Sequence, residues 1–177
     1  MKFPLAAFST LVISLALVGC NRTPYPDPNV GPPVQTTPVG IRSSADVVKV
    51  QSANVTVSAG GNAEATVTLS VLSGYHVNAN PATFPYLIST EVTAGKLEGI
   101  TVGKPLYPAG EKRKFQFAEE PLAVYEGDAR IKLPLQADKN VARGTLSMPL
   151  SIRVQACDHE QCFPPATLNA TVAIDVK

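Results

Sequence analysis

Four stretches of this 177-residue chain alternate apolar and polar residues with a period of two. Ala63, Ala65, Val67, Leu69 and Val71 alternate with Glu64, Thr66, Thr68 and Ser70. Ala129, Ile131, Leu133 and Leu135 are separated by Arg130, Lys132 and Pro134. The third run carries Leu146, Met148, Leu150, Ile152, Val154 and Ala156, and the fourth Leu168, Ala170, Val172, Ile174 and Val176. A strand turns successive side chains to opposite faces, so each run builds one apolar and one wet face. No long charged segment of helical period competes with them.

Shorter strands are predicted over 47–57, 75–78, 87–93, 97–102 and 112–117. Glycine and proline punctuate between them at Gly60-Gly61, Gly74, Pro81, Pro85, Gly103, Pro108-Ala109-Gly110, Gly127 and Gly144. Many short strands with one buried face each predict an all-β fold, an immunoglobulin-like antiparallel β-sandwich. Proline cannot donate to a strand ladder, so Pro134 and Pro149 predict edge or bulged strands.

The third run leads into Cys157 and Cys162, with four residues between them, and then Phe163-Pro164-Pro165. With Val154 and Ala156 facing the core, Cys157 is expected to face the other way at the strand's end. Asp158-His159-Glu160-Gln161 is too polar to bury, so Cys162 is expected near the surface with Phe163 tucked back as cover. Closing so small a ring stabilises a fold by only about 2 kcal/mol. A short bridge is therefore better suited to exchange than to bracing a sandwich, although a static loop brace stays open on spacing alone. Asp158 and Glu160 disfavour a thiolate here and a protonated His159 favours one. A metal site is not expected, because only His159 lies near the pair and structural zinc takes four ligands.

Residues 1–19 have the form of a signal peptide: Lys2, then an apolar run from Phe3 to Val18 that is short for a membrane span. Leu17-Val18-Gly19-Cys20 resembles the bacterial lipobox, which implies cleavage before Cys20 and its acylation. Acyl chains anchor a protein to a membrane without spanning it. Asn21 after the cysteine resembles an outer-membrane address in enteric-type lipoproteins. Residues 20–44 read as a linker, with six of the sixteen prolines. Extended at about 3.1 Å per residue, it reaches roughly 70 Å. Residues 45–177 are the expected folded domain. The formal charge of the chain is +1 with no basic block, which points away from nucleic acid. One cysteine lipidated and two left as a pair fits an oxidising compartment.

Four segments carry a family resemblance: Gly74-Tyr75-His76-Val77-Asn78, Tyr107-Pro108-Ala109-Gly110-Glu111-Lys112, Glu119 through Gly127, and Gln155 through Thr167. Together they resemble the N-terminal periplasmic domain of the thiol:disulfide interchange protein DsbD, over roughly Val47 to Val176. The resemblance implies an immunoglobulin-like sandwich whose redox pair is Cys157 and Cys162, cycling between dithiol and disulfide without a bound cofactor. It implies reducing equivalents taken from a membrane-embedded donor and passed to periplasmic thioredoxin-like or disulfide-bearing acceptors. In that family an aromatic on a neighbouring loop caps the disulfide. The matching loop lies around Glu120–Gly127, with Val124 and Tyr125 as candidates, while Tyr75 and His76 match a region lining the site. His76 departs from the tyrosines usual there. The family's full protein continues into membrane and thioredoxin-like segments, so a chain ending at Lys177 implies separate donor and acceptor proteins.

The function expected is a thiol-disulfide oxidoreductase of the envelope, with Cys162→Ser expected to trap a mixed disulfide. The alternative is a non-catalytic envelope lipoprotein that binds a partner protein, with the bridge as a loop brace. Metal trafficking is disfavoured by the lack of Met or His clusters.

Overall fold

Period-two alternation yields the four longest strands of the structure, a computed structural model that describes Gly40 and residues 43–177. The expected signal peptide, the Cys20 lipidation site and the linker up to Val39 lie outside the described residues. A short 3-10 turn at Ser44–Asp46 opens the fold, and the strands follow in chain order. They are β1 (Val48–Ser52), β2 (Val55–Val57), β3 (Asn62–Val71), β4 (His76–Asn78), β5 (Glu91–Ala94) and β6 (Ile100–Val102). The rest are β7 (Glu111–Arg113), β8 (Leu122–Tyr125), β9 (Asp128–Ala137), β10 (Gly144–Val154), β11 (Ala156–Cys157) and β12 (Ala166–Val176).

Three four-stranded sheets result, ordered β1-β3-β9-β6, β2-β12-β10-β5 and β11-β4-β8-β7. The first two form an immunoglobulin-like sandwich. Val67, Leu69, Ile131 and Leu133 from one sheet share a core with Met148, Ile152, Val154, Val172 and Ile174 from the other. Full burial of each such side chain stabilises the fold by about 1.5–3 kcal/mol. Pairing is antiparallel except for β2, which lies parallel to β12 with Val55 opposite Ile174 and Val57 opposite Val176.

The predicted strand over 47–57 is two strands. β1 joins β3 in one sheet, and the chain then crosses at Ala53-Asn54 so that β2 joins β12 in the other. The predicted strands at 87–93, 97–102 and 112–117 shrink to β5, β6 and β7. Before β5, Ile88 and Thr90 instead accept side-chain hydrogen bonds from Asn78 and Asn80.

Pro134 and Pro149 do not mark edges. β9 lies between β3 and β6, and β10 between β12 and β5. The same device admits both prolines. Each carbonyl accepts a hydrogen bond from a glycine just past the end of a short neighbouring strand: Gly103 N–H to Pro134 O, and Gly95 N–H to Pro149 O, both 2.8 Å. A residue's N–H and C=O point to the same side of a strand. The missing proline donor therefore faces the point where β6 or β5 has already ended, and no ladder bond is lost within either strand.

Candidate functional site

The long alternating run breaks at Gln155, where the chain leaves β10 and enters β11 in the third sheet. This switch of sheets places the cysteines. β11 pairs with β4, Ala156 opposite Val77 and Cys157 opposite His76. Opposed residues project to one face, so Ala156, Val77 and Tyr125 look into the main core. Cys157, His76, Asn78, Leu122 and Val124 look out of the opposite face.

Cys157 and Cys162 are bonded, S–S 2.02 Å, and face each other as an antiparallel bridge across a four-residue loop. Below the bridge, Phe163 N–H donates to Ala156 O at 2.8 Å; above it, Asp158 N–H donates to Gln161 O at 2.9 Å. The Asp158 carboxylate accepts from the Glu160 and Gln161 amides, both at 2.8 Å. These donors, Gln161 foremost, hold its carboxyl below the ordinary value. Its charge is thus engaged by the loop's own amides.

The hairpin's base is fastened by Ser44, which the sequence assigned to the linker. Ser44 is 0% exposed. Its hydroxyl accepts from Ala156 N–H and donates to Pro164 O, both at 2.8 Å, and its own N–H donates to Pro164 O at 3.0 Å. One small side chain satisfies the amide stranded by the change of sheet and ties both limbs of the hairpin together.

The two cysteines sit in different surroundings. Cys157 is 1% exposed, whereas Cys162 and His159 are exposed. Phe163 is buried, its ring 5.9 Å from that of Tyr75. His76, 2% exposed, lies under Phe115, the two rings stacked at 4.0 Å and 17°. Burial pushes the His76 pKa down to about 4; His159 adds to the shift and Asp158 opposes it. His76 Nε2 has no hydrogen-bond partner among the described residues. A cleft of about 350 Å³ opens beside these residues, lined by Tyr75, His76, Glu126 and His159 among others.

Val124 and Tyr125, the candidate caps, are both buried. Val124 belongs to a small cluster with Phe115 and Leu122. Tyr125 is a main-core residue whose hydroxyl donates to Pro108 O at 3.0 Å and accepts from Asn80 N–H at 3.1 Å. The aromatic ring stacked over His76, the residue opposite Cys157, is Phe115, on the preceding loop. Lys114 Nζ donates to Ala118 O at 2.8 Å and to Glu119 O, which closes that loop. Phe117 stacks on Phe115 at 5.4 Å and is partly exposed.

Two signals in the sequence could have indicated Phe115. Glu111-Lys112-Arg113-Lys114 has no apolar alternate, so it cannot carry a buried strand face on toward Phe117. Pro121 then stops any continuation. No comparable signal marks Ser44, whose role exists only because β10 turns into another sheet.

The family described as "Thiol:disulfide interchange protein DsbD, N-terminal" matches residues 44–174. The solved N-terminal domain of Neisseria meningitidis DsbD, in its reduced form, is similar at 18% identity and a TM-score of 0.45, over 66% of this chain and 82% of that one. The N-terminal periplasmic domain of ScsB from Proteus mirabilis is similar at 11% identity and a TM-score of 0.47. That match covers 73% of this chain and 47% of that one. No curated protein matches the chain. A match that spans residues 44–174 takes in the sandwich as far as Ile174 in its last strand, the third sheet and the bonded cysteine pair, and the chain belongs to the family of DsbD N-terminal domains.

Proposed function

We propose that the Cys157–Cys162 pair passes reducing equivalents from a membrane-embedded donor to thioredoxin-like or disulfide-bearing acceptor proteins of the bacterial envelope. The observation that carries this reading is the asymmetry of the pair: a bonded hairpin disulfide with one cysteine buried and the other open to a partner. The exposed Cys162 takes part in the mixed disulfide, and the sheltered Cys157 resolves it. The trapping variant is therefore Cys157→Ser, the reverse of the assignment expected from sequence. Phe115 serves as the cover that a docking partner displaces. Anchoring through acylated Cys20, at the outer membrane, belongs to the same reading; the lipobox-like Leu17–Cys20 supports the acylation and Asn21 the outer-membrane address.

The test is the reduction potential of the pair, measured by equilibration with glutathione buffers. A value between about −270 and −120 mV supports exchange; one far below about −300 mV leaves the bridge as a loop brace and refutes the proposal.

A further inference from the structure

His76 presents a problem that the disulfide form leaves unsolved. Its ring is 2% exposed and held flat against Phe115, yet Nε2 has no hydrogen-bond partner among the described residues. Leaving a buried polar atom unpaired costs roughly 1–3 kcal/mol, so such an atom calls for an explanation. The residue opposite it on the neighbouring strand is Cys157. Side chains at opposed positions share a face, with Cβ atoms about 5 Å apart, within reach of an imidazole. In the oxidised pair Cys157 carries no proton to offer. Reduction supplies one.

Resting on the exchange reading above, we propose that His76 is the proton acceptor for the Cys157 thiol, the group that turns the buried cysteine into the resolving nucleophile. In the resolving step the Cys157 S–H gives its proton to His76 Nε2. As the proton leaves, the sulfur attacks Cys162 Sγ and the Cys157–Cys162 bond forms. The bond from Cys162 Sγ to the partner's sulfur breaks, and that sulfur leaves with the electron pair as a thiolate. The proton then passes from the imidazolium to the departing thiolate or to water. Over the whole exchange the cysteine pair loses two electrons and the partner's disulfide gains them. Burial holds the His76 pKa down at about 4, so the resting imidazole is neutral near neutral pH and accepts at Nε2 in its Nδ1–H tautomer; the same burial makes it a weak base, so the proton moves as the sulfur attacks and not ahead of it. The titratable groups around it are Asp158 and His159 on the cysteine loop, and Tyr75 and Glu126 along the cleft. Stacking on Phe115 at 4.0 Å fixes the ring plane, whereas exposed His159 lies only tilted against the same ring, at 6.2 Å and 38°.

The experiment is stopped-flow reaction of the reduced full-length chain, carrying Cys20→Ser so that Cys157 and Cys162 are its two thiols, with Ellman's reagent. Cys162 attacks first and releases one equivalent of 2-nitro-5-thiobenzoate; Cys157 then resolves the adduct and releases the second. His76→Phe keeps the aromatic stacking and removes the acceptor. It is expected to leave the first phase unchanged and slow the second about 100-fold, with the pH profile of that phase displaced upward. His76→Gln, which can accept a hydrogen bond but cannot carry a proton away, is expected to slow the same phase. A second phase within threefold of wild type in both variants overturns the proposal. So does equal slowing of both phases, which would make His76 structural. A wild-type protein that releases no second equivalent would instead overturn the exchange reading itself.

Discussion

Replacing Ser44 by alanine should destabilise the domain far more than an ordinary serine substitution near a chain's first turn. The Ser44 hydroxyl is the acceptor for Ala156 N–H at 2.8 Å, and Ala156 is fully buried. Alanine leaves that amide unpaired in the interior, at a cost of roughly 1–3 kcal/mol. Pro164 O loses one donor but keeps Ser44 N–H at 3.0 Å, so it adds little. A central value of about 2 kcal/mol follows. Over the 135 residues from Ser43 to Lys177, an unfolding entropy of about 2.1 cal/mol/K per residue converts this to a fall in Tm of about 7 °C. Ser43→Ala is the internal control: Ser43 caps the same turn through an exposed hydrogen bond to Ala45 N–H at 3.2 Å, and its loss costs only about 0.5–1 kcal/mol. The assay is thermal unfolding of the oxidised protein followed by circular dichroism, with amide exchange at Ala156 as the local readout. If Ser44→Ala melts within 2 °C of wild type, or no lower than Ser43→Ala, the brace is not what holds the hairpin's base.

Gly95→Ala should cost about 1–3 kcal/mol, because an added Cβ would lie 2.7 Å from Pro149 Cγ in the central strand β10; an unchanged urea midpoint would show that the strand end moves freely. Stability should also fall as pH drops from about 6.5 towards 4. The unfolded chain protonates His76 near 6.5, while the folded imidazole resists until about 4, so protons favour unfolding across that window by up to about 3 kcal/mol. Urea unfolding at pH 7 and pH 4.5 measures the loss, and His76→Phe should flatten the profile. Asp158 adds a separate loss at lower pH. Its depressed carboxyl contributes stability above the ordinary value of 3.8, which disappears as pH falls through the folded value.

The four long strands were legible because each buries one face against a facing sheet, and burial writes a period of two into the sequence. The short strands were not. β7 is exposed throughout, so no apolar alternation marks it, and Phe115 beyond it serves as cover for His76 and does not continue a strand. The prolines misled for a geometric reason. A proline tells only that one side of its strand lacks a ladder partner, and a neighbour that stops short provides that as well as a sheet edge does. The glycines at 95 and 103 were visible, but their pairing with Pro149 and Pro134 depends on register. At the site, alternation and the polarity of residues 158–161 are enough to put Cys157 on the face away from the core and Cys162 outside. They do not show that a second small cluster, with Phe115 and Leu122, forms on that other face, or that Cys157 is buried there as well.

In the exchange proposed above, the burial of Cys157 sets the division of labour between the cysteines. Had β10 simply continued in its own sheet, Cys157 would project from the wet face of a sandwich strand, and both sulfurs would be open to any thiol. By crossing at Gln155 into the sheet that carries His76, the chain buries Cys157 opposite that histidine while the loop returns Cys162 to the surface. An incoming thiol then reaches the Cys162 side first, and the buried partner can act only on a sulfur already bonded to it or held in its place. Exchange between two proteins needs that order: attack at an open site, followed by resolution from a sheltered one that solvent thiols cannot intercept. The switch of sheet, the Ser44 brace that makes it possible and the unpaired histidine beside the buried sulfur are therefore parts of one arrangement, and disturbing the first should change the accessibility of Cys157 before it changes that of Cys162.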